Sequence, residues 1–285
     1  MPEVIDSSLR IGAVTLAVSD LPASAGFYER VLGLELLALD ERRALLAVPG
    51  SAPALELLAI ERPVSAAPGA TGLFHVAWLH PTRAVLAETV KRIAAAGWPL
   101  GGAADHGVSE ALYLADPDGL GIEIYADRPR ESWRRRADGE GVEMVTLALD
   151  VEDLLAQWPG EPRPRLTAGT SVGHVHLKVA DVERAARFYE RLGFQQQARV
   201  PSAAFVSAGG YHHHLGLNSW RSSGGVRPPD DAPGLRNVTF ELDGGETPLR
   251  ALAAAAGDDA RRERGSVSLR DPDGELVTFT GQRAG

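Results

Sequence analysis

The sequence predicts an α+β chain of four βαβββ modules that form two half-open mixed-sheet barrels. Three observations carry this: two separate stretches each recur in the second half of the chain, and every copy sets alternating strands around one helix. In the first recurrence, IGAVTLAVSDLPASAGFYERVLGL (residues 11–34) reappears as VGHVHLKVADVERAARFYERLGF (residues 172–194). Each copy reads as a strand, an acidic helix start at Asp20 or Asp181, a helix carrying Phe-Tyr, and a Leu-Gly stop. A short carboxylate suits the N-cap because it accepts the orphan backbone N–H groups of the first turn. Gly33 and Gly193 suit the left-handed residue that ends a helix. On these helices Phe27, Tyr28, Phe188 and Tyr189 are expected in the core.

In the second recurrence, LADPDGLGIEIYAD (residues 114–127) returns as LRDPDGELVTFTG (residues 269–281). Asp-Pro-Asp-Gly is a tight turn, since proline presets φ and glycine tolerates a positive one. Upstream of each turn lie a strand, GLFHVAWL or GLRNVTFEL, and a helix over 82–97 or 247–257. The modules therefore span about 9–62, 71–127, 170–220 and 233–282. In chain order the first pair occupies 9–127 and the second 170–282, with 128–169 as a connecting segment. Within that segment VEMVTLALDVEDLLAQ can supply a strand and a helix, and residues 222–234 read as a loop.

Composition narrows the function. A net charge of −9 and a pI of about 5.4 exclude nonspecific nucleic-acid binding. No apolar run reaches the roughly 18 residues of a membrane span, and the N-terminus lacks the pattern of a signal peptide. A cytoplasmic protein without nucleic-acid or membrane partners is expected. With 0 cysteines, any metal must be held by nitrogen and oxygen.

All 8 histidines fall between His75 and His214, inside the second and third modules. His174 stands seven residues before Asp181, and His75 seven before Thr82, at the same place in their modules. The matching residues of modules one and four are Ala13 and Asn237. On the last strand the contrast repeats: Glu123 in module two faces Thr278 in module four, each seven residues beyond the first Asp of its turn. A lone strand histidine is usually a satisfied core or surface residue. Two at equivalent repeat positions with an inward carboxylate instead make the facial triad that holds nonheme Fe(II) with open positions. Among the others, His213 can face the same cavity, His106 can line its mouth or cap a turn, and His176 shares the face of His174. His80 is expected to be structural, and no role is assigned to His212 or His214. Tyr113 is expected to point inward; Phe74, Trp78 and Phe205 are candidate pocket neighbours.

These residues resemble the vicinal oxygen chelate superfamily, in particular its type I extradiol dioxygenases, over nearly the whole chain and closest to the catechol-2,3-dioxygenases. The most specific segment is HGVSEALYLADPDGLGIEIYADRP, which is similar to that group's catalytic segment and places His106, Tyr113 and Glu123 on its functional positions. GHVHLKVAD and GLFHVAWL resemble the two metal strands, and GGYHHHLGL the strand bearing the acid–base histidine. The resemblance therefore implies His75, Glu123 and His174 as ligands of Fe(II), with Mn(II) as an alternative metal. It implies His213 as acid–base, with Tyr113 and His106 donating hydrogen bonds, and catechol and O2 as substrates giving a 2-hydroxymuconic semialdehyde. In the family's common arrangement modules three and four hold the metal; here the matches lie in two and three, which implies that these two form the catalytic barrel. Asp105 replaces an arginine that meets a substrate carboxylate, which argues against a strongly anionic catechol.

Two other classes share the scaffold. A glyoxalase-type metal-dependent isomerase or lyase needs a second carboxylate on the partner module's last strand, where HHHLGLN stands instead. A nonenzymatic small-molecule binding protein would lack the ligand set. Exposed sheet edges leave a homodimer open.

Overall fold

The computed structural model describes residues 5–137 and 141–282; residues 138–140 of the connecting segment and both chain ends lie outside the described residues. Module one consists of β1 (Arg10–Val18), α1 (Leu21–Phe27), β2 (Glu35–Leu39), β3 (Arg43–Ala47) and β4 (Pro53–Ala59). Module two has β5 (Gly72–His80), α2 (Arg83–Ala95), β6 (Gly102–Asp105), β7 (Ser109–Ala115) and β8 (Gly121–Asp127). A short helix α3 (Val151–Ala156) lies in the connecting segment. Module three follows with β9 (Ser171–Lys178), α4 (Val182–Arg191), β10 (Gln195–Val200), β11 (Ala203–Ser207) and β12 (Leu215–Asn218). Module four closes the chain with β13 (Gly234–Asp243), α5 (Glu246–Ala256), β14 (Arg261–Glu263), β15 (Ser266–Arg270) and β16 (Leu276–Gln282).

Local chemistry sets the helix ends. The side chains of Asp20, Thr82 and Asp181 each accept the backbone N–H three residues on, capping α1, α2 and α4. After α1 the chain widens into a π turn over Tyr28–Leu32 that Gly33 ends at φ 95°. The connecting segment differs from expectation. Its helix forms, but Leu147 makes only an isolated bridge to Asp105, and among the segment's described residues no strand precedes the helix.

Two eight-stranded mixed sheets result. One runs β14-β15-β16-β13-β1-β4-β3-β2 and joins modules four and one; the other runs β10-β11-β12-β9-β5-β8-β7-β6 and joins modules three and two. Each sheet thus draws on both halves of the chain. The seams, β1 with β13 and β5 with β9, are antiparallel, whereas each module's first and last strands pair parallel. Because the seam is antiparallel, equivalent positions of the two modules approach each other across it.

Paired aromatics tie the sheets together. Tyr28 donates its hydroxyl to Asp116 in the module-two turn at 3.1 Å, and Tyr189 to Asp271 in the module-four turn at 3.2 Å. Both rings are fully buried, as expected, yet each spans two modules through its hydroxyl. Burial pushes both aspartates up to about 6. Among the described residues no helix is long and apolar enough to cross a membrane.

Candidate metal centre

Strand register assembles the site. Across β7, β8, β5 and β9 the residues Tyr113, Glu123, Ala77 and His174 stand in one row, paired strand to strand. His75 is two residues before Ala77 and so shares its face, because strand side chains alternate. The Ala77 methyl is short, which leaves Glu123 and His174 free to converge above it. Nε2 of His75 lies 2.9 Å from Glu123 Oε2, and Nε2 of His174 lies 3.3 Å from the same oxygen. One ligand atom from each of the three falls within 4.8 Å of the others, and all three residues are buried.

This cluster fits a divalent ion. Two ligands about 2.1 Å from a metal and at right angles are about 3.0 Å apart, close to the separations seen. His75 Nε2, despite its proximity to the carboxylate, has no hydrogen-bond partner, so its lone pair is uncommitted. Burial alone would raise the Glu123 carboxyl, but the facing His174 and His75 rings hold it well below the usual range. Burial lowers His174 to about 4 against the pull of Glu123. Two neutral imidazoles and one carboxylate are the charge state that a cation binds.

The corresponding positions of the other sheet show what the site is not. There the row is Thr278, Thr239 and Ala13, with Asn237 on the same face. Thr278 donates to Asn237 Oδ1 at 3.0 Å, and the Asn237 amide donates to Thr239 at 3.0 Å. These side chains satisfy one another and offer no carboxylate or imidazole.

The triad opens into a cavity of about 340 Å³, walled in part by Phe74, Tyr113, His176, Phe205, His213 and Trp220. A larger cleft of about 520 Å³, near Lys178 and Glu275, contains none of the histidines, and the smaller cavity holds the chemistry. His213 stacks on His174 with ring centroids 4.0 Å apart, and burial among other imidazoles pushes it well below its ordinary value. Tyr113 reaches His106, whose Nε2 lies 2.7 Å from the hydroxyl, while His106 Nδ1 meets the Val145 carbonyl at 2.8 Å. A carbonyl only accepts, so in the neutral ring Nδ1 donates and Nε2 accepts from Tyr113. His106 therefore acts on Tyr113, and a hydrogen bond from it to a substrate would require protonated Nε2. Burial, with Glu123 close by, raises the Tyr113 hydroxyl and keeps it a donor.

His176 lines the same cavity with a buried Nε2 that has no partner, and Gly216 beneath it leaves the space its ring occupies. His80 is structural: its Nδ1 faces the Trp78 and Tyr125 carbonyls and its Nε2 faces Thr89. His214 likewise accepts the Ala208 N–H. Phe74 and Phe205 border the cavity, but Trp78 points to the opposite, helix-covered face and is fully buried. Asp105 pairs with Arg128 at 2.6 Å, and among the described residues no arginine or lysine lines the cavity. Sequence reasoning missed the wall formed by Met144–Thr146, whose only signal was the apolar alternation in the connecting segment, and missed Trp220.

Comparison with known proteins places the fold and the family. The catechol-2,3-dioxygenase of Bacillus subtilis (strain 168) is 40% identical over 286 residues, covering 96% of this chain and 98% of the relative. A provisionally named dioxygenase from Bacillus subtilis subsp. subtilis str. 168 shares the fold, with a TM-score of 0.66 at 15% identity, over 97% of this chain and 86% of that one. Glyoxalase I from Zea mays does too, with a TM-score of 0.57 at 18% identity, over 96% and 92%. The chain is therefore a catechol-dioxygenase-like enzyme by homology. Residues 10–124 and 171–279 match the Glyoxalase/Bleomycin resistance protein/Dioxygenase superfamily, and the chain belongs to that superfamily.

Proposed function

We propose that the chain is an extradiol ring-cleaving dioxygenase, which splits a catechol beside its diol with O2 to give a 2-hydroxymuconic semialdehyde. The observation that carries this reading is the facial set His75, Glu123 and His174 opening onto a cavity that also presents His213 and Tyr113. The three would hold Fe(II), or Mn(II) in its place, and the ion would provide the path for electrons between the diol and dioxygen. His213, neutral and buried beside the triad, would take the proton of a catechol hydroxyl and later return it. Tyr113 would turn its single O–H from His106 Nε2 to negative charge that develops on the ring oxygens. Phe74, Phe205 and Trp220 would bracket the aromatic ring and exclude water. A cavity whose described lining residues include no arginine or lysine supports an uncharged catechol.

The isomerase reading is disfavoured by one position. On β12 the residue equivalent to Glu123 is Gly216, paired with His176 in register, and it offers no ligand. The test is elemental analysis of protein purified without oxygen, paired with oxygen consumption on addition of catechol. About one iron or manganese per chain, oxygen uptake and a yellow ring-cleavage product are expected. A chain that takes up no metal after reconstitution would refute the reading.

A further inference from the structure

His213 does not stand alone. Its Nδ1 lies 2.7 Å from Nδ1 of His212, and Nε2 of His212 lies 2.9 Å from Oδ1 of Asp127 at the end of β8. In a regular strand consecutive side chains point to opposite faces. Here residues 209–214 form an irregular segment between β11 and β12, entered through Gly209 and Gly210 at φ 61° and 66°, and the two rings can face each other. His212 has no exposed surface and packs between Tyr211 and Trp133, with ring centroids 4.1 and 5.3 Å away.

The carboxylate sets the direction of every bond in this chain. An ionised carboxylate only accepts, so His212 Nε2 carries a proton and donates it to Asp127. A neutral imidazole has one donor, so His212 Nδ1 accepts, and the proton between the two rings belongs to His213 Nδ1. The nitrogen left to the cavity, His213 Nε2, is then a bare lone pair.

We propose that Asp127 and His212 are positioning residues that fix the tautomer of His213, so that its unprotonated Nε2 meets the substrate hydroxyl; this rests on the ring-cleaving reading. In the step served, the catechol O–H bond breaks and an Nε2–H bond forms on His213. The positive charge so created is balanced through His212 by the Asp127 anion, and no proton leaves the chain of three.

The test combines a spectroscopic and a kinetic readout on the full-length chain. Nitrogen NMR of 15N-histidine-labelled protein, metal-free and loaded with diamagnetic Zn(II), is expected to show His213 protonated on Nδ1 and bare on Nε2. In Asp127→Asn the amide donates to His212, each bond reverses, and His213 presents an N–H to the cavity. Iron content is then expected to stay unchanged and KM for catechol to stay within about threefold, while kcat falls on the order of 10²–10⁴-fold. His212→Asn places an amide oxygen near the old Nδ1, where it accepts from His213 without Asp127. It is expected to turn over about tenfold or more faster than His212→Leu. A wild-type His213 protonated on Nε2, or a doubly protonated His212, overturns the proposal. So does an Asp127→Asn enzyme with unchanged tautomer or unchanged kcat, or a His212→Asn enzyme no faster than His212→Leu. If iron-loaded wild type consumes no oxygen with catechol, the ring-cleaving reading fails; the tautomers, read without turnover, still decide whether Asp127 and His212 set the proton on His213.

Discussion

Replacing Glu123 by Gln should lower both metal affinity and metal-free stability. The carboxylate is buried, among the described residues it pairs with no arginine or lysine, and two imidazole nitrogens lie 2.9 and 3.3 Å away. Gln keeps the shape and removes the charge. Removing one partner of a buried ionic contact costs about 3–5 kcal/mol, which here falls on the bound ion and weakens it about 10²–10⁴-fold. In the metal-free chain the same change removes an anion that the His174 and His75 rings hold below its ordinary range, so stability should fall. At a metal concentration about 100 times Kd, binding stabilises wild type by about 2.7 kcal/mol. Spread over the unfolding entropy of a chain of 285 residues, this is about 4–5 °C in Tm if the chain unfolds as one unit. Scanning calorimetry with and without Fe(II) under anaerobic conditions reads both effects. Wild type should gain that increment, and Glu123→Gln should lose it and melt below wild type without metal. A Gln variant that keeps the metal-dependent increment, or whose metal-free form melts above wild type, would refute the assignment of Glu123 as an anionic ligand.

Three further outcomes are expected. His213→Phe should retain iron but lose about 10²–10⁴ in kcat, and normal turnover by that variant would remove the acid–base role. Tyr28→Phe and Tyr189→Phe should each cost about 1–3 kcal/mol, or about 2–5 °C in Tm, because a buried carboxyl loses its donor; unchanged melting would deny the cross-module bonds any weight. His80 is lowered to about 4 by burial, against 6.5 unfolded, so the unfolded chain binds its proton first as pH falls. Its stabilisation is full above pH 6.5 and lost as pH falls toward 4, by about 2 kcal/mol at pH 5. The drop in urea midpoint from pH 7 to 5 should therefore be smaller in His80→Gln than in wild type, and an equal drop would contradict the sign.

The modules and their pairing of equivalent positions were legible because strands, caps and turns are local. Asp20, Asp181, Gly33 and the Asp-Pro-Asp-Gly turns act within a few residues of themselves. The triad was legible for a different reason: repetition supplied a ruler, and His75, His174 and Glu123 stand out against Ala13, Asn237 and Thr278 at matched positions. What could not be read was anything set by contact between distant segments. Trp78 lies three residues from His75 on one strand, so alternation sets it on the other face, but only the covering helices decide which of the two faces is closed. Likewise the hydroxyls of Tyr28 and Tyr189 meet aspartates 88 and 82 residues away, so helix spacing could report burial but not the bond.

The seam explains why, among the described residues, one sheet carries such a cluster and the other does not. A triad needs one histidine from the first strand of each of two modules, plus a carboxylate from one last strand, brought together by an antiparallel pair of first strands. Both seams have that backbone geometry, since β1 meets β13 as β5 meets β9. The difference lies in four side chains. Thr239 takes the place of Ala77, and its hydroxyl accepts the Asn237 amide in the space that the ion would need on the other sheet. Thr278 then turns its hydroxyl to Asn237, which closes the set. Converting this sheet to a metal site would therefore demand more than importing ligands. Asn237→His and Thr278→Glu alone would leave Ala13 without a nitrogen and Thr239 over the gap, two ligands where three are required. The shared backbone permits the centre, and the small residue at the seam is as necessary to it as the three donors.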